Sequence, residues 1–105
     1  MATPEGKVKA KIKSWLKTLD DCWFYMPVQN GMGVVGIPDI IGVINGRFFA
    51  IETKAPGKEA NVTANQQASI ESIRSADGIA FVASDLDTVQ DMFHYHGLIN
   101  AKSIV

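Results

Sequence analysis

The dipeptide Asn45-Gly46 constrains the fold of this chain more than any other feature. It separates two apolar runs, 37–44 and 47–54. Asn-Gly favours a two-residue type I′ turn, because both central positions of that turn need a positive φ. The two runs are therefore predicted to form an antiparallel hairpin whose register is fixed by the turn.

This register brings three charged residues together at the open end of the hairpin. It places Asp39 directly opposite Glu52, and directly opposed side chains have Cβ atoms about 4.5–5.5 Å apart on one face of the sheet. Lys54 lies two residues beyond Glu52, so it shares that face. A bulge, for instance at Gly42, would break the register.

Two carboxylates and an ammonium at one point suggest a metal site. Opposed carboxylates repel, and a bound Mg²⁺ or Mn²⁺ relieves that repulsion because hard cations prefer oxygen ligands. Such an ion lowers the pKa of a bound water and stabilises charge on a phosphate, while Lys54 can orient the water or neutralise the transition state. The alternative is a surface salt bridge from Lys54 to Glu52 or Asp39, which would contribute little. The strongly apolar strands around these charges favour the metal site.

Two polar residues elsewhere in the chain have both a local and a functional interpretation. Glu5 precedes the apolar stripe of the first predicted helix by helical steps, so it is either a helix-start acid or an inward ligand. Thr63-x-x-Gln66 is a capping box, which by itself explains both residues. Gln66 also faces inward on its helix, so its amide is within reach of the site. His94 and His96 fall on opposite faces of a helix and are interpreted as structural or surface residues.

The pattern of apolar residues along the chain predicts the order α-β-β-β-α-β-α, a mixed sheet flanked by helices. A helix over 5–19 has Thr3 and Pro4 at its start. A last helix, capped at Ser84-Asp85, runs to His96. The remaining predicted elements are strands at 23–28, 37–44, 47–54 and 79–83 and a helix at 63–76.

Charge and cysteine content limit the setting in which the chain works. The 105 residues carry a net charge of −1, yet residues 1–19 hold five lysines against one acid. A basic first helix can contact phosphates, and a solvated helix face explains the lysines equally well.

The single Cys22 cannot form an internal disulfide, which favours a reducing cytoplasm. Its neighbours Trp23 and Phe24 indicate a core residue rather than a catalytic thiol. We expect no membrane segment and no signal peptide.

Two segments resemble known nuclease motifs. GIPDIIG at 36–42 and AIETK at 50–54 are similar to motifs II and III of the PD-(D/E)XK nuclease superfamily. An early helix with a glutamate, Glu5, and a Thr63-x-x-Gln66 opening the next helix resemble its VRR-NUC branch. The resemblance extends from about residue 5 to residue 86, with the motifs in the right order.

The resemblance implies a restriction-endonuclease-like α-β-β-β-α-β core and one VRR-NUC domain over residues 1–105. It implies catalytic roles for Asp39, Glu52, Lys54 and Gln66, the last positioning Lys54 or the water. It implies metal binding by Asp39, Glu52, the Thr53 carbonyl and Glu5, the last directly or through water. Lys7, Lys9, Lys11 and Lys13 are the expected DNA contacts.

The function implied is a Mg²⁺- or Mn²⁺-dependent endonuclease that hydrolyses DNA and prefers branched structures such as Holliday junctions. The chain resembles stand-alone members from bacteria and phages, which are expected to act as homodimers in the cytoplasm, with a role in DNA repair. The strand at 23–26 or the last helix are candidate dimer surfaces. Two alternatives stay open: a non-catalytic DNA-binding module of the same fold, and a nuclease that nicks duplex DNA or cuts single strands.

Overall fold

The order of helices and strands is the predicted one. A computed structural model describes residues 2–28 and 35–100. Its elements are α1 (Pro4–Leu16), β1 (Cys22–Tyr25), β2 (Ile40–Ile44), β3 (Arg47–Thr53), α2 (Ala64–Ser75), β4 (Ile79–Ala83) and α3 (Leu86–Tyr95). Most of the predicted loop after β1, residues 29–34, lies outside the described residues.

The four strands form one mixed sheet in the order β1-β2-β3-β4. The β1–β2 and β2–β3 pairs are antiparallel, and β3–β4 is parallel. Parallel neighbours need a crossover connection, and α2 provides it. The prediction of a mixed sheet flanked by helices is confirmed.

The central hairpin follows from its turn. Asn45 and Gly46 have φ of 51° and 80°, as a type I′ turn requires. Ile44 pairs with Arg47, and the same register continues outward along the hairpin to its last pair at Ile40. The predicted register is therefore confirmed up to the position beside Asp39.

Gly42 does not form a bulge. It pairs with Phe49 on one side and with Phe24 on the other. A Cβ at this position would lie 2.3 Å from the Trp23 carbonyl oxygen and 2.7 Å from the Phe49 ring. The glycine is thus required by close approach of its neighbours rather than by an irregular strand.

Three predicted boundaries were too long. α1 ends at Leu16 rather than at residue 19, because the next turn tightens to i→i+3 bonds, such as that from the Thr18 amide to the Trp15 carbonyl. β1 stops at Tyr25 and β2 starts at Ile40. Proline lacks the N–H that a ladder needs, and prolines stand at positions 27 and 38.

The core lies mainly on one face of the sheet, where α1 and α3 pack. Its buried side chains are Val8, Ile12, Leu16, Ile40, Ile44, Phe49, Ile51, Ile79, Phe81, Ala83, Val89, Phe93 and Leu98. The opposite face has a smaller cluster of Ala50, Ile70 and Ala80, where α2 packs against β4. The capping box at Thr63 therefore sets the start of α2 near the end of β3.

Candidate active site

Glu52 and Lys54 lie at the end of β3, and Gln66 of α2 bridges them. The Gln66 Nε2 donates to Glu52 Oε2 at 3.0 Å, and the Gln66 Oε1 accepts from Lys54 Nζ at 3.1 Å. Lys54 Nζ also lies 3.7 Å from Glu52 Oε2. One amide thus holds the carboxylate and the ammonium in a fixed relation.

The Gln66 side chain is itself fixed by the capping box at the start of α2. The Thr63 amide donates to Gln66 Oε1 at 3.0 Å, and the Gln66 amide donates to Thr63 Oγ1 at 3.1 Å. The same Gln66 Oε1 therefore accepts from a cap amide and from Lys54. The capping role and the contact with the site coexist in one side chain.

Asp39 immediately precedes β2 and faces the end of β3. Its Oδ2 accepts from the Thr53 amide at 3.1 Å and from the Thr53 hydroxyl at 2.6 Å. Because Ile40 pairs with Ile51, Asp39 comes next to Glu52 at the strand ends. From the sequence, only the Thr53 carbonyl was predicted to belong to the site, and the hydrogen bond from the Thr53 hydroxyl to Asp39 was not predicted.

Helix α1 brings Lys9 and Glu5 to the same place. Lys9 Nζ lies 3.8 Å from Asp39 Oδ1. The charge of Glu5 contributes to raising the pKa of Glu52, so the two carboxylates interact electrostatically. Within residues 2–28 and 35–100, no group of three acidic, histidine or cysteine side chains is arranged to hold a metal ion. Glu5 is therefore near the site without completing a three-carboxylate cage.

The four α1 lysines that were expected to contact DNA do not share one environment. Lys7, Lys11 and Lys13 are exposed, whereas Lys9 is partly buried against Asp39. Sequence reasoning missed this difference. The available signal was spacing: Lys9 follows Glu5 by four residues, which places both on one helix face.

Glu52 carries the strongest electrostatic perturbation of the site. Its side chain is 3% exposed. The pKa of Glu52 is raised from 4.5 to about 7, chiefly by burial and then by the charge of Asp39; Glu5 adds to the rise and Lys54 opposes it. Glu52 Oε1 is buried and has no hydrogen-bond partner among the described residues. A buried, unpaired carboxylate oxygen is unfavourable unless something outside the protein satisfies it.

These observations fit a divalent cation. Each carboxylate has one oxygen held by neutral donors, Asp39 Oδ2 by Thr53 and Glu52 Oε2 by Gln66. Among the described residues, no neutral donor contacts the other two oxygens, Asp39 Oδ1 and Glu52 Oε1. Carboxylate oxygens are the ligands that Mg²⁺ and Mn²⁺ prefer. The donor set present therefore suits such an ion, although it includes only two carboxylates in close arrangement.

Cys22 does not belong to this site. It is partly buried and packs against the main core. Burial raises the pKa of its thiol above the usual 9.0, which disfavours the reactive thiolate. His94 is exposed in the last turn of α3, and His96 is the C-cap of that helix. The interpretation of these three residues as structural or surface residues agrees with the structure.

Comparison with known proteins finds a similar fold among the solved structures. No protein-family model matches the sequence, and no curated protein is similar to it. Among solved structures, a VRR_NUC domain superposes with a TM-score of 0.70 at 22% identity, covering 90% of this chain and 99% of that chain. The chain thus has the fold of a VRR_NUC domain. The expected restriction-endonuclease-like fold is confirmed.

No helix in the described part of the chain is long and apolar enough to cross a membrane.

Proposed function

We propose that this protein is a Mg²⁺- or Mn²⁺-dependent endonuclease that hydrolyses DNA phosphodiester bonds and prefers branched DNA such as four-way junctions. The observation that carries the proposal is the buried, unpaired Oε1 of Glu52 beside Asp39 and Lys54. A folded protein tolerates such a group where it serves function, and perturbed carboxylates cluster at functional sites. The VRR_NUC fold supports the proposal of a nuclease.

The ion would be held by Asp39, Glu52 and the Thr53 carbonyl, with Glu5 as a further ligand, directly or through water. When bound, it supplies a more acidic water and positive charge beside the phosphate. Lys54 is the residue that we assign to orienting the water and stabilising charge on the phosphate.

Gln66 is a positioning residue in this scheme. Its amide holds Lys54 Nζ at 3.1 Å and Glu52 Oε2 at 3.0 Å. Lys54 has a 12% exposed side chain, so its ammonium is kept in the site rather than in solvent. Preorganised charge of this kind acts without rearrangement when the reaction occurs.

Cleavage of labelled junction, flap, linear duplex and single-stranded DNA tests the proposal. We expect cleavage with Mg²⁺ or Mn²⁺, none with a chelator, and a preference for branched substrates. Asp39→Asn and Lys54→Ala should abolish cleavage and leave the fold intact, whereas Asp91→Asn and Lys58→Ala, at exposed positions, should remain active. Cleavage that resists the chelator, or no cleavage with any divalent ion, would reject the proposal.

The two alternatives predict different results in the same assays. A non-catalytic DNA-binding module would bind in a salt-sensitive way without cutting, and Lys54→Ala would bind as well as wild type. Carboxylates clustered against a phosphate backbone would only weaken such a module, which favours the enzyme. A nuclease that nicks duplex or cuts single strands would be distinguished by mapping its products.

DNA contact is assigned to Lys7, Lys9, Lys11 and Lys13 on α1. Each phosphate neutralised releases counterions, so binding should weaken steeply with salt, and removing one contacting lysine should reduce the salt slope by about one. A charge-neutral variant at each position, measured by fluorescence anisotropy over a salt series, tests this assignment.

A homodimer is also part of the proposal, with the exposed aromatic face of β1 as its interface. Trp23 and Tyr25 are 64% and 50% exposed, and their rings stack with centroids 6.4 Å apart. Val43 and Phe48 continue this apolar surface on the neighbouring strands, and exposed apolar patches are typical of protein contacts. Light scattering should give a dimer mass that Trp23→Ser lowers to the monomer mass. An unchanged dimer mass would show that the interface lies elsewhere.

We assign the protein to the cytoplasm, where its single cysteine would stay reduced.

A further inference from the structure

We infer that Lys9 is an internal counter-ion that competes with the divalent cation for Asp39 and thereby lowers the affinity of the site for metal. The inference rests on the proposed function, since it assumes that Asp39 is a metal ligand. Its starting point is the position of Lys9 Nζ, 3.8 Å from Asp39 Oδ1. That oxygen is the one that Thr53 does not hold.

Lys9 differs from every other lysine of α1. Its side chain is 31% exposed and it reaches Asp39, whereas the remaining three are exposed and no ion pair joins them to an acid within the described residues. The four-residue spacing places Glu5 and Lys9 on one face of α1, and from that face Lys9 reaches Asp39. Lys9 is therefore the α1 lysine that belongs to the charge balance of the site.

Lys9 also differs from Lys54, the other ammonium in the site. Lys54 has a 12% exposed side chain and donates to Gln66, so it is held in place. Lys9 has no such hydrogen bond in the described structure, and its ammonium lies where a flexible stem can swing into water. One cation is fixed and the other is displaceable.

The charges at the site explain why displacement is needed. Asp39 and Glu52 lie close together, the charge of Glu5 also acts on Glu52, and Lys9 and Lys54 offset part of this negative charge. A divalent cation at Asp39 would lie close to the Lys9 ammonium, and like charges at such separations repel strongly in a partly desolvated site. Metal binding and the Lys9–Asp39 contact therefore exclude one another.

Removing the Lys9 charge should have opposite effects on the two states. Without metal, Lys9→Gln leaves Asp39 without its nearby cation, so the fold should be slightly less stable. With metal, no ammonium has to be displaced, so Mn²⁺ should bind roughly three- to tenfold more tightly. A purely structural role would weaken both states, and a role in DNA contact alone would leave metal affinity unchanged without DNA.

Calorimetric titration of the full chain with Mn²⁺, without DNA and at low ionic strength, tests the inference. The proteins are wild type, Lys9→Gln, Lys9→Arg, Asp39→Asn and Lys11→Gln. Lys11 is exposed on the same helix, so Lys11→Gln makes the same change in net charge away from Asp39. We expect tighter binding only for Lys9→Gln, no gain for Lys9→Arg, and an advantage that shrinks at high salt.

The outcomes separate the two levels of the proposal. Equal Mn²⁺ affinity of Lys9→Gln and Lys11→Gln, with binding lost in Asp39→Asn, overturns the role of Lys9 and leaves the metal site standing. Absence of Mn²⁺ binding in wild type and Lys9→Gln alike overturns the metal site and the inference together. Binding seen only in Lys9→Gln would support the competition between Lys9 and the metal but would overturn the proposed metal-dependent activity of the wild type.

Discussion

The metal-free protein should become less stable as the pH rises from 5 to 8, because Glu52 must ionise in a buried place. Its pKa is about 7 in the folded chain against 4.5 as the ordinary value. A carboxyl with a raised pKa binds its proton more tightly in the folded state, and this tighter binding stabilises the fold. The stabilisation is fully present below pH 4.5. That contribution is lost as the pH rises through 7. The difference between the folded and the ordinary pKa lowers the free energy of unfolding by about 2–3 kcal/mol between pH 5 and pH 8.

Urea unfolding in the presence of a chelator measures this loss. The free energy of unfolding is determined at several pH values for wild type and for Glu52→Gln, and the difference between them isolates Glu52 because all other titrating groups are shared. Hydrogen bonds lower the pKa of Glu59 and of Asp85. Both groups therefore change charge at a pH below their ordinary pKa values, outside the range from pH 5 to pH 8. A loss of this size is large against the ~5–15 kcal/mol that keeps a domain folded.

At pH 8, Mn²⁺ should restore stability to wild type and not to Glu52→Gln, since a ligand that binds only the folded state stabilises it. A wild-type-minus-variant difference that stays flat from pH 5 to pH 8 would refute the electrostatic account of Glu52.

Four further substitutions test other parts of the structure. Thr63→Ala removes the cap of α2 and should destabilise the fold by about 0.5–2 kcal/mol with little loss of cleavage. Gln66→Ala should destabilise the fold by a similar amount but slow cleavage roughly ten- to hundredfold, because it also releases Lys54 and Glu52. Equal cleavage rates for Thr63→Ala and Gln66→Ala would show that Gln66 has no role in the site. Phe93→Ala empties the core around Phe49 and should lower the free energy of unfolding by about 3–5 kcal/mol, measured by urea melts. Gly42→Ala should prevent folding, seen as lost near-ultraviolet circular dichroism, and a native spectrum would contradict the close contact at this strand.

The sequence was most informative where local chemistry decides the structure. A turn that needs positive φ twice fixed the hairpin register, and this register brought Asp39 beside the end of β3. The capping box gave the start of α2 and thereby the position of Gln66. Both rest on backbone requirements that few residue types meet, so they could be predicted without tertiary information.

The parts that could not be predicted depend on how elements cross one another. The Lys9–Asp39 contact requires the angle at which α1 packs on the sheet, and helical spacing alone cannot supply it. Helical spacing left Glu5 open between a helix-start acid and an inward ligand, and the family resemblance grouped it with the other carboxylates. The charge of Glu5 acts on Glu52, and within the described residues no three-carboxylate cluster forms. Gly42 was open to a bulge because only tertiary packing shows the Phe49 ring against it.

Anomalous diffraction from crystals soaked in Mn²⁺ tests most directly whether these carboxylates form a catalytic metal site. We predict a manganese peak within bonding distance of Asp39 and Glu52 oxygens, with Lys9 moved away, and no peak in Asp39→Asn. A wild-type crystal in which the manganese binds elsewhere, from a preparation that cuts DNA, would contradict the account.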